Sequence, residues 1–426
     1  SESVSLSSDG NRLAIGAPGN DGNGTGSGHV RVYRWSGTAW TQLGADIDGE
    51  AAGDDSGSSV SLSSDGSRLA IGATGNDGNG NLSGHVRVYE WSGMSWTQLG
   101  SDIDGEAAGD EVGLTVSLSS DGNRLAIGAP YNNDNAGHVR VFEWSDSTWT
   151  QLGADIDAEA AADYSGFSVS LSSDGNRLAN GAIWGNHVRV YQWSGTAWVQ
   201  LGVTIDGEQA GDQTGRSVSL SDDGNRLAVG APLNNGSGSE SGHTRVYQWS
   251  GTAWTQLGTD IDGEATGDRS GWSVSLSSDG NRLAIGAPWN GNSSGHVRIY
   301  QWSGMAWTQL GTDIDGEAVE DYSGTVSLSS DGNRLAIGAG WNDGNGDNSG
   351  HVRVFDLSMF NVFKINPGLN DAWYNQSTNG QGFLITVFPD VKLMFLAWFT
   401  FDTERPPENV SAHLGEPGHR WLTAQG

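Results

Sequence analysis

Val4-Ser5-Leu6-Ser7-Ser8-Asp9-Gly10-Asn11-Arg12-Leu13-Ala14 stands at the head of the chain, and close copies of it begin at Val60, Val116, Val169, Val218, Val274 and Val326. The intervals are 56, 56, 53, 49, 56 and 52 residues. A self-similar unit of this length, rich in strand formers and punctuated by Gly, marks a radial or stacked repeat in which each unit hides its apolar faces against its neighbours. Within one unit, Val60-Ser61-Leu62-Ser63 alternates as a strand, Asp65-Gly66 supplies a tight turn, and residues 68–73 return as a second strand. After a Gly/Asn/Asp loop, residues 85–91 alternate again and turn at Ser92-Gly93 into Trp96-Thr97-Gln98-Leu99. Four antiparallel strands repeated seven times predict an all-β, seven-bladed β-propeller over residues 1–358. A solenoid, the main rival, usually has coils of about 20 to 30 residues and lacks the two hairpin turns per unit.

Composition agrees with a large β protein. Sixty-six Gly against nine Pro call for many tight turns, and the apolar residues recur with period two, so core material is present that a disordered low-complexity chain lacks. Without Cys, no disulfide, thiolate metal site or Cys nucleophile can form. The formal charge of −30 repels phosphate backbones and anionic membranes, which excludes nucleic acid as a partner and suits either a salty medium or cation binding. No apolar run reaches the roughly 20 residues of a membrane helix, and the longest candidate, residues 391–401, contains Lys392.

The run from S-G-x-S-V-S-L through I-G-A-P to G-H-V-R-V-Y, as in residues 270–300, resembles the FG-GAP repeats of integrin-α-type propellers. The S-S-D-G-N-R-L-A hairpin is also similar to the first hairpin of WD-repeat blades. The resemblance covers residues 1–358 and implies fold; propellers of this kind serve binding, scaffolding and catalysis alike. One departure is clear. FG-GAP repeats often carry a D-x-D-x-D-G calcium loop between the first two strands, and here that turn is only Ser8-Asp9-Gly10-Asn11.

Recurrence sorts scaffold from function. His29, His85, His138, His187, His243, His296 and His351 all begin the third strand and read as blade-to-blade hydrogen-bonding groups. The Arg12 and Arg31 classes read as partners of recurrent acids. The Trp35/Trp40 class reads as a clamp on the outer hairpin. Because strands alternate in direction, the loops after the second strand and between blades share one face, which gathers the variable, acidic and aromatic residues. There the non-repeating Tyr131, Trp184, Trp289 and Trp341, with Phe167, Arg216 and Trp272 just before first strands, are the candidate ligand-binding residues. Sealing of gaps between blades is the alternative role. Asp21, Asn23, Asp77, Asn79, Asp343, Asn345 and Asp347 after the second strand, and Asp48, Glu50 and Asp54 between blades, offer hard oxygen ligands at alternate positions and are the candidate Ca²⁺ ligands. Solvated turns and backbone capping are the alternatives. No G-x-S-x-G, H-E-x-x-H or P-loop occurs, and the carboxylates recur with the blades instead of forming one unique pair.

Blade seven stops after its third strand without a W-T-Q-L-G strand. Residues upstream of Ser1 or residues 360–365 could fill that slot, and the former is favoured because 360–365 lacks the Trp and Gly landmarks. From residue 359 the repeat ends. Residues 382–388 and 391–401 read as an apolar hairpin, and 363–426 resembles a C-terminal β module appended to diverse secreted bacterial proteins. Both ends read as cut, so this module is expected to be incomplete.

The expectation is therefore a secreted or cell-surface bacterial propeller, not an enzyme, that recognises a polysaccharide or protein through its variable face with help from Ca²⁺. A self-assembling surface or filament component, associating through the open blade edge or the terminal module, is the alternative. A carbohydrate-active enzyme is the third reading.

Overall fold

The computed structural model describes residues 3–358 and, beyond them, the backbone of residues 371–374, 381–388, 393–401 and 419–425. The expected architecture is what the chain forms, an all-β propeller of seven antiparallel blades. In blade one the strands are Ser3–Leu6, Arg12–Ala17 and His29–Trp35, with an outer strand split into Trp40–Gln42 and Ile47–Asp48, both paired to the third. Blades two to six repeat this plan, and blade seven has three strands, Ser323–Leu328, Arg334–Ala339 and His351–Asp356. No helix among the described residues is long and apolar enough to cross a membrane.

The first strands stand nearest the axis, because each touches the first strand of the next blade and the last of them returns to the first. Three hydrogen-bonded belts run round that inner wall. Each Leu that ends a first strand donates its amide to a Ser Oγ of the preceding blade, from Leu62 to Ser5 round to Leu6 and Ser327. The amides of Ser8, Ser64, Ser120, Ser173, Asp222, Ser278 and Ser330 each donate to the carbonyl of the next, closing on Ser8. Arg68, Arg124, Arg177, Arg226, Arg282 and Arg334 each reach a Gly carbonyl and an Asn side chain in the next blade. This corrects the expectation that the Arg12 class pairs chiefly with acids: Arg12 itself takes the Gly66 carbonyl. A net 0.5 to 1.5 kcal/mol is about what one such bond contributes, so the belts matter through their number.

Apolar burial lies between blades. Ala14, Val30, Val32 and Ile47 of blade one meet Val60, Leu62, Leu69 and Ile71 of blade two in one cluster, and each junction repeats the arrangement. The junction of blades seven and one is thinner, with Val4, Leu6, Leu13 and Ala336 as its fully buried members. The Trp pairs do clamp the outer hairpins, with Trp35 and Trp40 cross-strand partners at 5.5 Å between ring centroids.

In the terminal unit, the strands Asp371–Tyr374, Gln381–Phe388, Leu393–Phe401 and His419–Gln425 pair antiparallel in that order, so the expected hairpin is present within a four-stranded sheet. The candidate filler, residues 360–365, lies outside the described residues.

Candidate functional site

Each loop between blades holds an Asp whose carboxylate accepts amides at the loop start, as Asp54 does from Glu50 and Ala51. The residue after it has φ between +47° and +57° in six loops, at Asp55, Glu111, Tyr164, Gln213, Arg269 and Tyr322. That left-handed step turns the chain inward, so the residue three positions on in all six of these loops (Ser58, Leu114, Phe167, Arg216, Trp272, Thr325) meets the mouth of the central channel. The repeat builds the ring, and the variable positions decide its chemistry.

The mouth opens into a cavity of about 670 Å³, within the range of small-molecule sites. Its blade-five wall is Arg216, whose guanidinium lies 3.8 Å from the ring centre of Trp272 and 4.6 Å from that of Phe167. Cations held between aromatic faces are stabilised by the ring quadrupoles. Burial pulls the Arg216 pKa down to about 10, which leaves it cationic at neutral pH. Among the described residues its guanidinium has neither a hydrogen-bond acceptor nor a carboxylate partner, in contrast to Arg269, which pairs with Glu240 at 2.7 Å. An aromatic wall continues from it, with Trp272 on Trp289 at 4.4 Å, Trp289 on Tyr322 at 5.7 Å and Tyr322 on Trp341 at 5.6 Å.

Acidic residues stand in the loops ahead of blades two and three, at Asp55 and Glu111. Burial, and then the charge of Asp55, raise the Glu111 carboxyl above its ordinary value. Burial raises the Tyr131 phenol, with Glu111 and Tyr164 adding to the rise and Arg216 opposing it. Tyr131 thus stands within electrostatic reach of both Glu111 and Arg216. A carboxyl shifted upward and an unpaired guanidinium, both within electrostatic reach of Tyr131, have the form of a base and an electrophile.

Of the seven expected ligand-binding residues, Phe167, Arg216, Trp272, Trp289 and Trp341 line this cavity. Tyr131 packs edge-on against Tyr164 at 5.4 Å, and Trp184 lies 6.4 Å from Tyr164 with 58% of its surface exposed. Sequence reasoning missed Asp55, Glu111, Tyr164 and Tyr322. The signal available was position: each is the one variable residue immediately after the recurrent Asp.

The expected Ca²⁺ ligands occupy hydrogen-bonded turns. Oδ1 of Asp21, Asp77 and Asp343 accepts the amides of Gly26, Leu82 and Asn348. Asn23 and Asn79 donate to carbonyls of the adjoining loop, and the Asn345 amide is held by Ser349. Asp347 lies exposed in the same loop. Asp48 falls with His29 and Asp46, and Glu50 with His85 and Asp102, in clusters whose ligand atoms lie within 4.8 Å. Three similar clusters surround His138, His243 and His296. In all five, Arg31, Arg87, Arg140, Arg245 or Arg298 is ion-paired to one of the carboxylates, so positive charge is already supplied.

Burial, followed by the adjacent Arg charge, lowers the pKa of His29, His85, His138, His243 and His296 despite the carboxylates nearby. A depressed native pKa means that the unfolded chain binds protons first as pH falls below about 6.5, so this share of stability is full above that value and is lost on acidification. In roughly 0.5 M salt, which screens the surface charge, the melting temperature should fall by several degrees between pH 7.5 and pH 5. His85→Gln should flatten that slope, as thermal melts across the range will read.

Neither a protein-family model nor a curated protein matches this sequence. Solved structures do resemble it. The periplasmic gluconolactonase PpgL of Pseudomonas aeruginosa has a TM-score of 0.57 at 16% identity, over 81% of this chain and 91% of that one. A putative 6-phosphogluconolactonase of Bacteroides uniformis scores 0.53 at 12% identity over 74% and 85%, and the Cps50 (Swd1) β-propeller domain of Myceliophteria thermophila scores 0.52 at 12% over 79% and 92%. The likeness is one of fold.

These findings correct the expected function. Lactonases recur among the similar structures, and the aromatic residues converge on a concave cavity instead of spreading as a platform for a polysaccharide or protein. The adhesion reading and its self-assembly alternative are withdrawn.

Proposed function

We propose that the axial funnel hydrolyses a neutral sugar lactone to its open-chain hydroxy acid. The observation that carries this reading is the unpartnered guanidinium of Arg216 in an aromatic-walled cavity. The gluconolactonases among the similar folds support the substrate class. The ring rests on the Trp272 and Trp289 faces while Arg216 donates to the carbonyl oxygen. Glu111 takes a proton from water as the water oxygen bonds to the carbonyl carbon, and Arg216 holds the resulting oxyanion. Collapse breaks the ring C–O bond, and Glu111 returns the proton to the departing alkoxide. No cofactor is needed for the balance.

Charge favours an unphosphorylated substrate. A net charge of −30 leaves a neutral lactone free to approach, slows an anionic one, and repels the carboxylate product. The FG-GAP-like pattern then describes the blades alone, and a location outside the cytoplasm accords with the periplasmic neighbour.

The test is a pH-stat assay of glucono-1,5-lactone and its 6-phosphate at neutral pH. Saturable acceleration above spontaneous hydrolysis, greater for the neutral lactone, is expected; no acceleration of either lactone rejects the reading. Glu111→Gln should cost about 10²- to 10⁴-fold in kcat, the usual contribution of a positioned base. In the parent protein kcat/KM should rise with pH through a value above an ordinary Glu pKa, because Glu111 acts as the carboxylate and its pKa is raised.

A further inference from the structure

Among the described residues blade seven lacks what six other blades possess, and those six state what would fit. In blades one to six the third strand carries an outer strand; among the described residues, His351–Asp356 pairs with the second strand alone. The counterparts His296, Val297 and Ile299 are at most 2% exposed, whereas His351, Val352 and Val354 are half-buried. The neighbouring blade records the same gap. Trp96, Trp149, Trp198, Trp254 and Trp307 each donate Nε1 at 2.9 Å to a Leu carbonyl in the outer strand of the preceding blade. Trp40 precedes them in the series, its preceding blade is the seventh, and its Nε1 has no such acceptor among the described residues. A cavity of about 540 Å³ lies there, walled by Leu13, Ile15, Trp35, Trp40, Val352 and Val354.

We propose that this slot docks an extended segment of sequence W-T-Q-L-G-x-D-I-D, added antiparallel to His351–Asp356 as the seventh outer strand. Each position has a template. The Leu amide would donate to the Val354 carbonyl as Leu43 does to Val32 at 2.7 Å, and its carbonyl would accept Trp40 Nε1. The Gly would pass beneath the Trp35 and Trp40 rings, as Gly44 passes beneath Trp91 and Trp96. The first Asp would take the Arg353 guanidinium as Asp46 takes Arg31, and the Ile and last Asp would face Val352 and His351 as Ile47 and Asp48 face Val30 and His29. Strand addition of this kind combines main-chain bonds with pockets for alternate side chains. A second copy is the weaker occupant, because each of its six outer strands already pairs with its own blade.

The test adds a synthetic peptide of residues 38–50 to the full chain and follows calorimetry, thermal melting and amide exchange. One-to-one binding on the order of micromolar, a higher melting temperature, and new protection confined to 351–356 are expected. Peptides with Ser in place of the Trp or the Leu should bind at least about tenfold more weakly, since each loses a buried anchor. Trp40→Phe in the protein, which deletes the Nε1 donor and keeps an aromatic ring, should weaken the parent peptide several-fold. The proposal is overturned by absence of saturable binding at millimolar peptide, by equal binding of the Ser-substituted peptides, or by edge amides already protected by residues 359–426 or by a second copy.

Discussion

Arg216→Met is expected to lower kcat on glucono-1,5-lactone by about 10²- to 10³-fold, the loss found when an oxyanion donor is removed, with the melting temperature unchanged or slightly raised. The two halves of that expectation have separate causes. Catalysis loses the cation that meets charge developing on the carbonyl oxygen. Stability loses cation–π contacts worth roughly 1 to 2 kcal/mol, and it is relieved of a guanidinium that burial disfavours and no described acid compensates. Met occupies a similar length between Phe167 and Trp272 and makes its own sulfur–aromatic contacts. Steady-state kinetics and a thermal melt on one sample decide it. A melting temperature lower by ten degrees or more, with activity lost in proportion to unfolded protein, would make Arg216 a wedge between blades and leave the funnel without its electrophile.

The second large effect lies in the wall and not the site. A Cβ on Gly72 would fall 1.9 Å from the carbonyl oxygen of Gly113 and 2.8 Å from its carbon, both backbone atoms of the next blade. Gly16, Gly128, Gly181, Gly230 and Gly286 face their neighbours in the same way. Relief requires two blades to part, so Gly72→Ala should cost more than about 3 kcal/mol, in the range diagnostic of a core fault, and lower the melting temperature by on the order of 10 °C. Gly93→Ala is the matched control. Gly93 has φ of +95° with no atom within 4 Å of the added carbon, so only the backbone penalty of about 1 kcal/mol applies. Similar losses for the two variants would show that the blades yield and that the close approach is slack.

Seven copies of one phrase made the fold legible, because burial between like units leaves few alternatives once the strands and Asp-Gly turns are seen. Arg216, Trp272, Trp289 and Trp341 were legible for the opposite reason, since they interrupt the repeat at its most variable face. Glu111 and Asp55 were not. In a chain with 51 acidic residues, one more carboxylate in an acidic loop carries no mark, and only the fold shows the left-handed step that follows Asp54 and Asp110. The loop ladders were legible only in part. Alternate Asp and Asn offer the same outward oxygens whether they meet an ion or an amide, and it takes the fold to show Asp21 Oδ1 on the Gly26 amide. The Arg12 class was assigned to acids because charge suggests charge, but the nearest acceptor is a carbonyl one blade away.

Because the three inner belts join Ser330 to Ser8 and Arg334 to Gly10 and Asn11 with the same geometry used at every other junction, the inner wall taken alone has no first blade. The hydrogen-bonded order round the axis is cyclic. An exposed outer-hairpin turn, such as the one carrying the 88% exposed Met94, is the kind of site that tolerates a chain opening in circular permutation. Gain or loss of blades by recombination between near-identical repeats would then be limited by the curvature that lets seven such wedges meet, and not by the identity of a terminal unit.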